Sequence, residues 1–218
     1  MNTNALKSIN RQQGYSLVEL SVALSIVAVV LVAGLMGARQ VLTANSTNNQ
    51  IRESNKVINN IRKALQNQTT TASLATSDIA VKLGVWPADR ATCAANASGI
   101  YDATKCGTVS AVLGGANEYV FTNTAQVGTN MPINSGFWYV LYNIPNQACV
   151  DLVNGLSGSA YAIYAGATTT APTTGATPNT ATYTAVKVAD QPSVNLANLA
   201  TGCSSKNNRN DLYVAVQI

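Results

Sequence analysis

Nineteen consecutive residues, Leu20 to Ala38, carry no charge, and Ser21 and Ser25 are the only hydroxyl side chains among them. At 1.5 Å per residue such a run spans about 28 Å as a helix, close to the ~30 Å hydrocarbon thickness of a bilayer. Polar residues 1–14 precede it, with Lys7 and Arg11 and no acid. That asymmetry places the N-terminus on the cytoplasmic side. A cleaved secretory signal is the first alternative, but its apolar core is shorter, ~7–15 residues, and ends at a small-residue cleavage site. Here Gly34, Gly37 and Ala38 lead into helix-compatible sequence. The 218 residues contain no histidine, which excludes Ser-His-Asp and Cys-His triads and His-ligated metals. Charged residues make up 10%, against an ordinary ~25%. The net charge of +4 has no basic cluster behind it, so no nucleic-acid partner is expected.

Glu19 is the exception near this run. A lone carboxylate costs about 2.5–3.5 kcal/mol at the centre of a membrane helix and less at an interface, so a solvated interfacial acid is the plain reading. Tyr15 lies four residues before Glu19, and Gly14 immediately precedes Tyr15. Cutting after Gly14 creates an α-amino group at Tyr15. Such a cation neutralises the carboxylate of a neighbouring helix and removes an unpaired charge from an apolar setting.

A basic leader, Gly14, Tyr15, the run G-Y-S-L-V-E-L with Glu19 at its sixth position, and about 20 apolar residues together resemble the class III signal of type IV prepilins. The resemblance covers about the first 40 residues. It implies cleavage between Gly14 and Tyr15 by a prepilin peptidase, N-methylation of Tyr15, and contact of Glu19 with the Tyr15 amine of a neighbour in a fibre. Tyr15 in place of Phe, the 14-residue leader and the 204 residues that follow point to the type IVb class, which includes toxin-coregulated, bundle-forming and conjugative thin pili. The implied partners are further copies of the chain, the peptidase, an inner-membrane assembly machinery with a cytoplasmic ATPase, and a surface receptor of unknown identity. The implied location is the inner membrane before assembly and an extracellular fimbrium after it.

The organisation expected is a leader (1–14), an apolar transmembrane or filament-core helix (15–38), an amphipathic continuation (39–66) and a globular head (67–218). Leu42, Ile51, Ile58, Ile61 and Leu65 recur near helical spacing, with Arg52, Lys56, Arg62 and Lys63 between them, and no proline occurs before Pro87. One helix from about Ser16 to Gln66 is expected, on the order of 75 Å long. Asn45-Ser-Thr-Asn-Asn is its weakest stretch. Gly34 and Gly37 suit either local bending or close helix packing.

Beyond Leu65 the fold class expected is α+β: an antiparallel sheet packed on the amphipathic half of the long helix. Strand candidates are Glu118–Asn123, Phe137–Ile144, Ala160–Ala165, Tyr183–Val188 and Leu212–Ile218. Val214 and Val216 alternate with Ala215 and Gln217, which predicts one apolar face for the last strand. Ser77 is a candidate cap for a short helix ending at Gly84, and Asn146 for a helix reaching Gly155. The segment with Cys93, Pro87, Gly99, Cys106 and Gly107 reads as irregular. Gly114-Gly115 reads as a turn, since no phosphate-loop Lys-Ser/Thr follows. Residues 167–184 form a Thr/Ala/Pro stretch that suits an exposed loop, either a contact surface or a tolerated insertion.

Four cysteines, Cys93, Cys106, Cys149 and Cys203, all follow the apolar run, and an even count in an exported region suggests two disulfides. Three pairings exist, and sequence locality favours Cys93–Cys106 with Cys149–Cys203. A bridge between Cys149 and Cys203 contributes about 4 kcal/mol in the chain-entropy account. Around Cys149 the segment FWYVLYNIPNQACVDLV resembles the first half of the C-terminal disulfide loop of type IVb pilins, and Cys203 matches the second half. No metal or cofactor is expected, because no Cys-x-x-Cys and no histidine occur. The acids Asp78, Asp89, Asp102, Glu118, Asp151, Asp190 and Asp211 show no pairing in the sequence, so no enzyme is expected. Minor pilins, type II secretion pseudopilins and an uncleaved membrane-anchored adhesin are the alternatives.

Overall fold

The computed structural model describes residues 16–74, 77–87, 89–95, 101–168, 170–171, 178–179 and 181–218, and the backbone alone for 91–95 and 101–108. The chain divides into two units, Met1–Leu42 and Thr43–Ile218. Helix α1, Leu17–Ala64, begins in the first and ends in the second. It runs without a break through Gly34, Gly37 and the Asn45–Asn49 stretch. Poor local propensity there is overcome by side-chain bonds and burial: the Ser46 and Thr47 hydroxyls donate to the Thr43 carbonyl, and Thr47 and Gln50 are buried. A Cβ on Gly34 or Gly37 meets nothing within 4 Å, so neither glycine serves close packing among the described residues.

In the second unit, seven strands form one antiparallel sheet ordered β1-β2-β3-β4-β7-β5-β6. They are β1 Ala91–Ala95, β2 Tyr101–Ser110, β3 Asn117–Thr122, β4 Gly136–Pro145, β5 Ala162–Ala167, β6 Tyr183–Lys187 and β7 Arg209–Gln217. The C-terminal β7 lies between β4 and β5, pairing Val214 with Tyr139 on one side and Ile163 on the other. Five strands match the expected positions to within a few residues. The hairpin β1–β2 corrects the reading of that segment as irregular: mutual pairing of the two strands supplies what their Thr-, Ala- and Gly-rich sequence lacks in periodicity. Gly115, at φ 81°, closes the β2–β3 turn, with Ala111 N donating to Ala116 O.

Alternation along the strands builds two apolar layers. Phe137, Tyr139 and Leu141 of β4, with Leu212, Val214 and Val216 of β7, face a core completed by Val57, Ile58, Ile61 and Leu65 and by helix α3, Asn146–Leu156, through Ala148, Leu152 and Leu156. The opposite face gathers Tyr119, Phe121, Trp138, Val140, Tyr213 and Ala215 under Val127 and Met131. Tyr183 and Tyr213, 4.9 Å between centroids, and Trp138 and Tyr164, 5.9 Å, meet edge-to-face, while Tyr119 and Phe121 stack with their rings 9° from parallel. The apolar face expected for β7, Val214 and Val216, lies in the first layer, and the other face, through Tyr213 and Ala215, is buried as well.

Two expected caps serve other ends. Ser77 opens helix α2, Ser77–Lys82, but its hydroxyl accepts from Val120 N and donates to Val120 O, fastening the helix to β3. Asn146 lies inside α3, whose cap is Pro145, and its amide donates to Ser205 O while its oxygen accepts from Asn210. A fourth helix, α4, Leu196–Gly202, is capped by the Asn195 side chain accepting from Asn198 N; its Ala- and Asn-rich sequence gave no periodic signal.

Candidate assembly and anchoring site

At the start of α1 the Ser16 hydroxyl accepts from Glu19 N at 3.1 Å, satisfying one of the free amides of the first turn. Glu19 sits in that turn, where the positive end of the helix dipole favours a carboxylate. Gly14 and Tyr15 lie outside the described residues. Ser21 donates to Val18 O and Ser25 to Ser21 O, both at 2.8 Å. The only two hydroxyls in the run thus bond to the helix backbone and demand nothing from the surroundings.

Among the described residues nothing covers this run. Fifteen large apolar side chains between Leu17 and Leu42 are each more than half exposed, from 53% at Val22 to 85% at Leu17. Burying one such side chain is worth about 1.5–3 kcal/mol, so the stretch as a whole forgoes tens of kcal/mol until something apolar covers it. A continuous apolar surface of this kind marks a membrane or protein contact.

In the head, Cys149 on α3 is bonded to Cys203 at the end of α4, with Cα atoms 5.6 Å apart. Asn210 Nδ2 also reaches Cys203 O, and Asn146 reaches Ser205 O, so the loop is tied to α3 by amides as well as by sulfur. The side chains of Cys93 and Cys106 lie outside the described residues; their backbones are directly opposed in the β1–β2 pairing.

Four acids that look unpaired in the sequence are partnered, the first being Asp78, 3.8 Å from Lys82 one turn along α2. Glu118 is fully buried and accepts from Trp86 Nε1 at 2.6 Å, from Gln50 Nε2 at 2.7 Å and from the Arg90 guanidinium. Gln50 in turn accepts from Val112 N at 2.7 Å, and Ser54 bonds the Tyr139 hydroxyl at 2.8 Å. Burial, reinforced by the Glu118 charge, holds the Tyr139 hydroxyl well above the usual phenol range. This cluster joins α1 to β3, β4 and the β2–β3 turn. Its signal in the sequence is Gln50 and Ser54, one turn apart, interrupting the apolar face of α1. Asp211 is also buried, accepting from Asn143 N, Thr168 and Tyr183. Asp190 is exposed and accepts from Tyr161, Thr129 and Asn130. Among the described residues no group of His, Cys, Asp or Glu is arranged to hold a metal.

Residues 9–35 match the family model of the prokaryotic N-terminal methylation motif, which encloses Gly14, Tyr15 and Glu19. The crystal structure of a type IVb pilin from Salmonella typhi superposes with a TM-score of 0.50 at 16% identity, covering 78% of this chain and 99% of that one. The fold is that of a type IVb pilin. TcpA, a type IV pilin from Vibrio cholerae El Tor biotype, matches with a TM-score of 0.41 at 11% identity, over 77% of this chain and 98% of TcpA. No curated protein matches the chain by sequence. The pilin fold explains the order of parts: a methylation motif, a long helix, a sheet on its amphipathic half, and a disulfide closing the C-terminal region.

Proposed function

We propose that this chain is the structural subunit of a type IVb pilus. A prepilin peptidase cuts between Gly14 and Tyr15 and methylates the new amine. Before assembly the apolar half of α1 spans the inner membrane with the leader in the cytoplasm. An ATPase-driven machinery then transfers the subunit into a homopolymer in which that half forms the core. Glu19 meets the Tyr15 amine of a neighbour, which removes the cost of an unpaired carboxylate among apolar side chains. The heads form the outer surface, which serves adhesion, aggregation or mating contact. The role is structural and needs no cofactor.

The observation that carries this reading is the apolar surface from Leu17 to Leu42, exposed on a helix whose other half is built into a folded head. A bilayer covers it in the precursor, and identical helices cover it in the fibre. A repeated, non-closing interface of this kind gives a filament. The test is Glu19→Ala. The variant inserts in the membrane and gives no fibre in the sheared fraction, whereas normal fibres from it contradict the role given to Glu19.

A further inference from the structure

Where α1 ends, the head holds an open cavity of about 420 Å³, within the ~300–1,000 Å³ of small-molecule sites. Such sites are ordinarily lined by apolar and aromatic side chains. This one has no aromatic lining, and its apolar floor is Leu65 and Ile218 alone. Arg62, Gln66, Gln68, Thr69, Ser135 and Gln217 supply the rest, and of these only Arg62 is charged. No acidic side chain lines it.

Three stretches far apart in the chain meet here: the last turn of α1 with the loop after it, the residue before β4, and the end of β7. Their backbones are fixed to one another. Gln68 N donates to Leu65 O at 2.8 Å, and Ile218 N donates to Ser135 O at 3.4 Å. Thr71 anchors the loop, its N donating to Asn134 O at 2.8 Å and its hydroxyl to Gly136 O at 2.6 Å. The polar side chains divide into two groups. Gln217 Nε2 donates to Asn130 O and the Ser135 hydroxyl to Pro132 O, both at 2.7 Å, which leaves Gln217 Oε1 and the Ser135 oxygen as acceptors. Arg62 Nη2 donates to Ser159 O at 3.1 Å and keeps its other donors. Gln66, Gln68 and Thr69 are exposed, and among the described residues their side chains make no hydrogen bond.

The cavity thus sets free donors beside free acceptors on a fixed frame. An ion meets at most one counter-charge from the lining side chains, and an apolar molecule leaves the amides unanswered. A ring bearing several hydroxyls answers both kinds of group, because each hydroxyl donates and accepts. We propose that this cavity is a binding site for an uncharged sugar, a neutral pyranose unit of a glycan. The Gln66 and Gln68 amides, the Thr69 hydroxyl and the free donors of Arg62 meet its hydroxyls, and its C–H face lies over Leu65 and Ile218. The frame is formed before the sugar arrives, which lowers the ordering cost of binding. The inference goes beyond the filament reading and does not rest on it.

The test is saturation-transfer NMR on the full chain, solubilised in a detergent without a sugar headgroup. The probes are glucose, galactose, mannose, N-acetylglucosamine, glucuronic acid and inorganic phosphate. At least one neutral sugar gives a saturable signal, and neither anion binds more tightly than it. Gln66→Ala, Gln68→Ala and Thr69→Ala together raise the Kd of that sugar about tenfold, and Gln68→Ala alone about threefold. The unfolding midpoint stays in place, since none of the three side chains has a partner in the head. Absence of binding by all four neutral sugars overturns the proposal. So does a triple variant that binds as the unaltered chain does, which moves the site elsewhere. Tighter binding of glucuronic acid or phosphate makes this an anion site at Arg62 and overturns the proposal as well. Each of these failures leaves the filament reading intact, and a chain that binds the sugar yet forms no fibre overturns the filament reading alone.

Discussion

Val27 and Val57 are the same side chain on the same helix, yet Val27 is 53% exposed and Val57 is 1% exposed. Around Val57 the helix alternates buried apolar positions with Arg52, Lys56 and Lys63, and the sheet closes over one face. Around Val27 every face is apolar, so no single partner element covers it. An amphipathic helix completes a domain, whereas a helix apolar all round requires a bilayer or further helices. The difference teaches that the stretch that completes the head and the stretch left exposed are separate parts of one element. Substitutions in Thr43–Ile218 are expected to act on folding, and those in Leu17–Leu42 on membrane insertion and polymer formation.

The largest effect on folding is expected at Glu118. Glu118→Ala leaves Arg90, Trp86 and Gln50 without their shared acceptor, and the head loses about 3–5 kcal/mol in denaturant unfolding. An unchanged midpoint breaks the claim that this cluster joins α1 to the sheet. Next, Cys149→Ser with Cys203→Ser opens a bridge spanning 54 positions and costs about 4 kcal/mol on the loop-entropy argument. An unfolding midpoint equal to that of the unaltered chain contradicts a stabilising role for this bridge.

Sharper for the comparison is a matched pair. Ile58→Ala removes a fully buried side chain and lowers head stability by about 2–4 kcal/mol, while Val29→Ala leaves the unfolding midpoint where it was. Equal effects from the two substitutions erase the distinction between the halves of α1.

The smallest effect is at Asp190. Hydrogen bonds from Tyr161 first, then Thr129, with Asn130 adding to them, hold its carboxyl down at about 2, below its value in an unfolded chain. A depressed carboxyl stabilises the fold fully above about pH 4 and loses that contribution as pH falls through about 2. Asp190→Asn therefore slightly lowers stability at neutral pH and flattens the acid limb of the stability profile between those values. A parallel acid limb for both proteins contradicts the assignment.

Much of this arrangement is legible from local pattern. The apolar run, the 3.6-residue recurrence of Ile51, Ile58, Ile61 and Leu65, and the aromatic strands around Phe137 and Tyr183 each signal within a dozen residues. The pairing of Cys149 with Cys203 is legible from position along the chain. What escapes is long-range. Gln50 meets Glu118 across 68 positions, and no spacing rule reports that. Hairpin β1–β2 escapes because Thr, Ala and Gly leave no alternation, so its strands exist through each other. Helix α4 escapes because Leu196-Ala-Asn-Leu-Ala-Thr-Gly is short and weakly patterned. Gly14, Tyr15 and Glu19 stand out in the sequence as a motif, and the methylation-motif match encloses all three.

The most direct test is the mass of the protein sheared from the cell surface. Subunits that begin at Tyr15, carry one added methyl group on its amine and make up the bulk of a filament fraction are the expected result. A cell-bound chain that still begins at Met1 has no amine for Glu19 to meet, and contradicts the account.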